Sequence, residues 1–244
     1  MNPLHQTYNF FVYPQEIDGA SNLRLSALEC AILNTAGLAA EDNGFGAPEM
    51  IEQGVTWVLS RLAIEMKSLP KQYEQFNIET WVEDYGRLLT TRHFNLFDKA
   101  GNTIGHACSL WALIDVKNRR PVNLQTRSDL ARFASGEAGM IEKPGKINDL
   151  KEGKKAGEHI VAYSDLDYNN HTNSMKYVDW MADVLPLQVL YKKKISRFEI
   201  NYLHEARYGE TVEIYRQQEE NTYLFDLISS EGRSLCKAKF QFEL

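Results

Sequence analysis

The chain has 244 residues, 43% of them hydrophobic and 25% charged, with a formal net charge of −6. That fits one large or two small globular domains, and the acidic balance argues against nucleic acid as a partner. No apolar run reaches the ~18 residues of a membrane-crossing helix, so membrane insertion is not expected.

The opening segment, "MNPLHQTYNFFVYPQ", has no basic region, apolar core or small-residue cleavage site, so a cytoplasmic location is expected. The first helix is expected in "NLRLSALECAILNTAG" (22–37). Leu25, Leu28, Ile32 and Ala36 form one stripe there, with Ser21 or Asn22 as its cap. "EQFNIETW" (74–81) alternates as a strand. "FNLFDKAGNTIGHACSLWAL" (94–113) reads as two strands joined by a glycine turn. The three cysteines are scattered, which is neither a disulfide framework nor a zinc site, and Cys30 and Cys108 are expected to be buried.

The second half repeats this order. "NSMKYVDWMADVLP" (173–186) places Met175, Val178, Met181, Ala182 and Leu185 on one stripe, and Pro186 helps to end it. "ETVEIYRQ" (210–217) alternates like residues 74–81. "FDLISSEGRSLCKAKFQFEL" (225–244) aligns without a gap on 94–113, Phe94 meeting Phe225, Gly101 meeting Gly232 and Leu113 meeting Leu244. Ala238, Phe240, Phe242 and Leu244 fall on one face of its last strand. A Gly-rich, charged stretch separates the copies. The expected architecture is α+β: unit 1–133, linker 134–155 and unit 156–244. Each unit sets a helix across a curved antiparallel sheet, and the two pack as a pseudo-dimer.

The segment "YSDLDYNNHTNSMKYVDW" (163–180) carries the chemistry. Asp and Asn ahead of a helix ordinarily make caps and Asx turns, yet Asp167, Asn169 and His171 are crowded into five positions here. No Gly-x-Ser-x-Gly elbow supports a serine hydrolase. "HEARY" (204–208) lacks the second histidine of a zincin and reads as strand.

Several motifs in order resemble the acyl-acyl-carrier-protein (acyl-ACP) thioesterases of plants and bacteria, a tandem hot-dog family. They are "EDNGFGAPEM" (41–50), "TWVLSRLAIEM" (56–66), "ETWV" (79–82) and "SLWALIDVKNRRP" (109–121) in the first half. The second half contributes "SDLDYNNHTNSMKYVDWM" (164–181) and "FEINYLHEARYGE" (198–210). The resemblance implies a catalytic set of Asp167, Asn169, His171 and Glu205. In many plant members a cysteine follows that glutamate; Ala206 stands here, which removes a cysteine nucleophile at that position.

The implied reaction is hydrolysis of an acyl thioester by water, with no metal or organic cofactor. His171 and Glu205 would hold the water and either would deprotonate it, a histidine being suited by its ordinary pKa of ~6.5. Asp167 would orient the network, and Asn169 would position the water or the substrate carbonyl. Backbone amides from Asn170 to Asn173 are candidate oxyanion donors. The resemblance puts the acyl chain in the first unit, with Trp57, Leu59, Leu62 and Trp111 as lining. An acidic carrier protein would need a basic patch. Lys192, Lys193, Lys194 and Arg197 form the clearest cluster, and Arg119 with Arg120 a second. An acyl-coenzyme A thioesterase and a non-catalytic acyl-binding protein on the same fold are the alternatives, and homodimerisation is left open.

Overall fold

The structure, a computed structural model, describes residues 4–243. Leu244, which the repeat pairs with Leu113 and places on the face of Phe242, lies outside the described residues, as do residues 1–3. The chain divides into two compact units. One takes the residues up to Leu23 together with 28–144, the other Arg24–Ala27 with 145–244.

The first unit runs β1 (Gln6–Phe11), α1 (Leu25–Asp42), α2 (Ala47–Glu52), β2 (Val55–Met66), β3 (Gln75–Tyr85), β4 (Thr90–Asp98), β5 (Thr103–Asp115) and α3 (Ser128–Ala131). Its strands pair antiparallel in the order β1-β3-β4-β5-β2. Helix α1 runs beyond the segment 22–37 in which it is expected. Its end is set by Gly44, whose positive φ (73°) turns the chain back so that Phe45 N–H reaches the Ala40 carbonyl at 2.9 Å. Neither Ser21 nor Asn22 caps it, because the helix begins at Leu25 and Ser21 occupies a left-handed turn before it. Leu28, Ile32 and Ala36 are buried as their spacing requires. Cys108 is buried, but Cys30 on α1 is only half-buried.

The second unit runs β6 (Lys154–Ile160), α4 (Ser174–Asp183), α5 (Leu187–Lys192), β7 (Ile195–Tyr202), β8 (Thr211–Glu219), β9 (Thr222–Ser229) and β10 (Ser234–Phe242). Its order, β6-β8-β9-β10-β7, reproduces that of the first unit strand for strand. The hairpins β4–β5 and β9–β10 are the two aligned segments of the sequence. Asn173 caps α4 by accepting the Met175 N–H at 3.2 Å, and Val178 and Met181 are fully buried beneath it. Ala238, Phe240 and Phe242 share the buried face of β10, and Phe240 packs edge-on against Phe198 and Phe225. Each of these buried phenylalanines contributes about 1.5–3 kcal/mol relative to exposure.

Residues 134–153 form no helix or strand, yet they are held along their length. Ser135 N–H donates to the Val82 carbonyl at 2.8 Å, the Trp81 indole donates to the Glu137 carbonyl at 2.8 Å, and Lys143 pairs with Glu83 at 2.9 Å. Beyond Pro144 the partners belong to the second unit. Asn201 accepts from Ile147 N–H and donates to the Gly145 carbonyl, and Gln217 accepts from both Lys151 and Glu152.

Candidate active site

His171 and Glu205 meet. The Nε2 of His171 stands 3.3 Å from Oε2 of Glu205, with the imidazole 22% and the carboxylate 37% exposed. Glu205 does not lie on a strand as its neighbourhood predicts. Strand β7 stops at Tyr202, and Glu205 sits in the loop that follows. That loop is pinned to the segment preceding α4. His171 bridges to Arg207, and the Ala206 carbonyl accepts both the Thr172 N–H and the Thr172 hydroxyl at 3.0 Å. Ala206 N–H donates to the hydroxyl of Tyr177 on α4, also at 3.0 Å. Ala206 itself is fully buried.

Asp167 reaches the site through the backbone. Its Oδ1 accepts the Asn169 N–H at 2.8 Å and the His171 N–H at 3.1 Å, and its own N–H donates to the His171 carbonyl. This is an Asx turn, and it holds Asn170 in the left-handed region at φ 59°. Asn169 is exposed at the tip of the turn.

The expected oxyanion donors are not available. Asn170 N–H donates to the Asp167 carbonyl, His171 N–H to Asp167 Oδ1, Thr172 N–H to the Ala206 carbonyl and Asn173 N–H to the Asp165 carbonyl. The turn that presents His171 engages the very amides that a bare helix start would offer. What faces outward instead is the side chain of Asn169.

Three supporting residues lie within the 164–181 motif without a role assigned to them from sequence. Thr172 and Tyr177 brace the Glu205 loop, and burial pushes the Tyr177 phenol well above its ordinary pKa. Asp165, also buried, accepts the Ala162 N–H and faces the His159 ring at 2.8 Å, while His159 stacks on Trp180. A polar side chain on the buried stripe of α4 was the one available signal for Tyr177.

In the first unit, the four lining candidates share a face of the sheet only because β2 is irregular. Trp57 lies opposite Leu113 and Leu59 opposite Trp111; the register then slips at Ser60, so that Leu62 lies opposite Ser109. Without that bulge, Leu62 would turn away from Leu59. Leu62 is fully buried. Trp57 and Trp111 are half-buried, their indoles donating to the Phe45 carbonyl at 3.1 Å and the Ser109 hydroxyl at 2.8 Å. Trp57 also packs on the core of Phe45, Met50, Val55 and Leu113.

The basic cluster is largely paired. Lys193 donates to Asn221 at 2.8 Å, Lys194 to Glu243 at 2.6 Å and Arg197 to Glu199 at 2.9 Å, while Lys192 closes α5 exposed. Among the described residues, no helix is long and apolar enough to cross a membrane, and no group of three or more His, Cys, Asp or Glu side chains is placed to hold a metal ion.

Residues 3–128 match the acyl-ACP thioesterase N-terminal domain, and residues 148–244 match the C-terminal domain of the same family. The chain belongs to the acyl-ACP thioesterase family. It is 35% identical to an acyl-ACP thioesterase of Bacteroides thetaiotaomicron whose crystal structure superposes with a TM-score of 0.92, over 98% of both chains. It is 26% identical over 192 residues to the chloroplastic acyl-[acyl-carrier-protein] hydrolase FATB3 of Cuphea viscosissima, matching 76% of this chain and 47% of that protein. The oleoyl-acyl carrier protein thioesterase of Coriandrum sativum is 27% identical over 210 residues, 79% of this chain and 56% of its own. The chain thus spans about half the length of these curated relatives. Each unit has the hot-dog arrangement that the family implies.

Proposed function

We propose that this member of the family hydrolyses the thioester of a fatty acyl chain carried by an acyl-carrier protein, releasing the free acid and the carrier thiol. The observation that supports this most is the His171–Glu205 contact, made by two loops tied together through Ala206. At 3.3 Å the imidazole and the carboxylate touch directly, and a water seated beside the pair can bond to both. That spacing is the loose kind that tightens when substrate binds.

In this reading the His171–Glu205 pair takes a proton from the water as its oxygen attacks the thioester carbon. The carbonyl oxygen becomes an oxyanion, and with the local amides engaged, the Asn169 side-chain amide is its donor. Collapse of the tetrahedral intermediate breaks the carbon–sulfur bond, and the pair returns the proton to the departing sulfur. Atoms balance: water and thioester give acid and thiol. A positioned base of this kind contributes about 10²–10⁴-fold.

The acyl chain lies against Trp57, Leu59, Leu62 and Trp111 of the first unit, and the substrate arrives on an acidic carrier. Turnover of acyl-ACP and acyl-coenzyme A by the purified protein tests the assignment. A preference for coenzyme A would replace the carrier, and no turnover of either would leave only acyl binding.

A further inference from the structure

The loop that presents His171 exists twice in this chain. In the first unit Asp18 Oδ1 accepts the Ala20 N–H at 2.8 Å and the Asn22 N–H at 3.0 Å, as Asp167 Oδ1 does for Asn169 and His171. Asp18 N–H donates to the Asn22 carbonyl, and Ser21 N–H to the Asp18 carbonyl, repeating Asp167–His171 and Asn170–Asp167. Ser21 and Asn170 take the same left-handed conformation, φ 63° and 59°. Asn22 bridges to Lys71 as His171 does to Arg207, and Leu23 N–H donates to the Pro70 carbonyl as Thr172 N–H does to that of Ala206.

The backbone is therefore duplicated while the chemistry is not. Ala20, Asn22 and Leu69 stand where the second unit has Asn169, His171 and Glu205. The aspartate survives in the copy that has no histidine and no glutamate to orient, which ties it to the turn rather than to the reaction. A different set of contacts is confined to the active copy. Ala206 N–H donates to the Tyr177 hydroxyl, and the Thr172 hydroxyl adds a second bond to the Ala206 carbonyl. The first unit has Pro70, which has no N–H, at the position of Ala206, Leu28, which has no hydroxyl, at that of Tyr177, and Leu23 in place of Thr172. Donor and acceptor have disappeared together.

We infer that Tyr177 and Thr172 are positioning residues for the proposed hydrolysis, bracing the Glu205 loop against His171 through Ala206, while Asp167 belongs to a turn scaffold common to both units. The inference rests on the His171–Glu205 reading. Tyr177→Phe removes only the hydroxyl. It should lower kcat for acyl-ACP about 10- to 100-fold, the scale of an ångström-sized misplacement, and leave KM within about twofold. Adding Ala206→Pro copies the first unit and abolishes the orphaned N–H; it should restore the Tm but not kcat. Wild-type kcat in Tyr177→Phe, or kcat recovering with Tm in the double variant, would overturn the brace. If either variant does not fold, Thr172→Val, which keeps the backbone bond to Ala206, carries the same kcat prediction and the same power to overturn it.

Asp167→Asn keeps the Oδ1 acceptor. It should recover most of the activity lost in Asp167→Ala, with an unchanged pH profile of kcat; a displaced acid limb would put the carboxylate in the chemistry and refute the scaffold assignment. Loss of turnover in His171→Ala with full turnover in Tyr177→Phe sinks the brace alone. Full turnover in His171→Ala sinks the reading beneath it.

Discussion

Asp167 meets His171 at its backbone N–H, 3.1 Å from Oδ1, while the imidazole of His171 meets Glu205 at 3.3 Å. The acidic residue nearest in sequence thus builds the loop, and the one thirty-four positions downstream faces the ring. This division sets what each substitution should do.

Asn169→Ala should lower kcat about 10²–10³-fold with a small change in KM, the loss typical of one oxyanion donor. The reason is local: the amides of residues 170–173 are all engaged, leaving the Asn169 side chain to polarise the carbonyl. Steady-state kinetics on acyl-ACP checks it. A kcat within threefold of wild type would move the oxyanion donor elsewhere.

The β2 bulge gives the proposed lining residues different expected behaviour. Leu62 is fully buried, so Leu62→Ala should cost about 2–5 kcal/mol of stability by thermal or urea unfolding. Leu59 is only half-buried and lies opposite Trp111. Leu59→Trp should shift the chain-length profile toward shorter acyl groups, read from a panel of acyl-ACP lengths. An unchanged profile would remove this face from the acyl pocket.

Glu199 carries a pH-dependent share of the stability. Burial alone would raise its pKa, but hydrogen bonds and charge from Arg197 at 2.9 Å and Lys239 at 2.6 Å outweigh burial and hold it below the ordinary glutamate value. A depressed folded-state pKa contributes stability that is complete above the unfolded value and lost as pH falls through the folded one. Glu199→Gln should therefore cost about 2 kcal/mol near neutral pH. The gap in Tm from wild type should close as the pH drops below the ordinary carboxylate range. A gap constant with pH would contradict the pairing.

The fold was legible because the same pattern was written twice. Alternation in 225–244 and its gapless match to 94–113 identified both hairpins, and the stripe of Val178 and Met181 identified α4. What escaped the pattern were departures from periodicity. The segment assigned to the first helix ends at Gly37, but the helix runs on until a residue takes the left-handed conformation, and that residue is Gly44. The slip at Ser60 is a backbone event with no side-chain signature. Glu205 was identified by motif and misplaced by alternation, since β7 ends three residues earlier. The duplicated turn, "IDGASN" against "LDYNNH", shares only its aspartate in letters. Its identity lies in hydrogen bonds that only coordinates display.

The central claim is that His171 and Glu205 together activate the water. Its most direct measurement is the kcat for acyl-ACP of wild type, His171→Ala, Glu205→Gln and the double variant, each checked for an unchanged Tm. Each single variant should lose about 10²–10⁴-fold, and the double variant little more than the worse single, because the pair acts as one unit. Near-wild-type turnover in either single variant, or losses that multiply in the double, would contradict it.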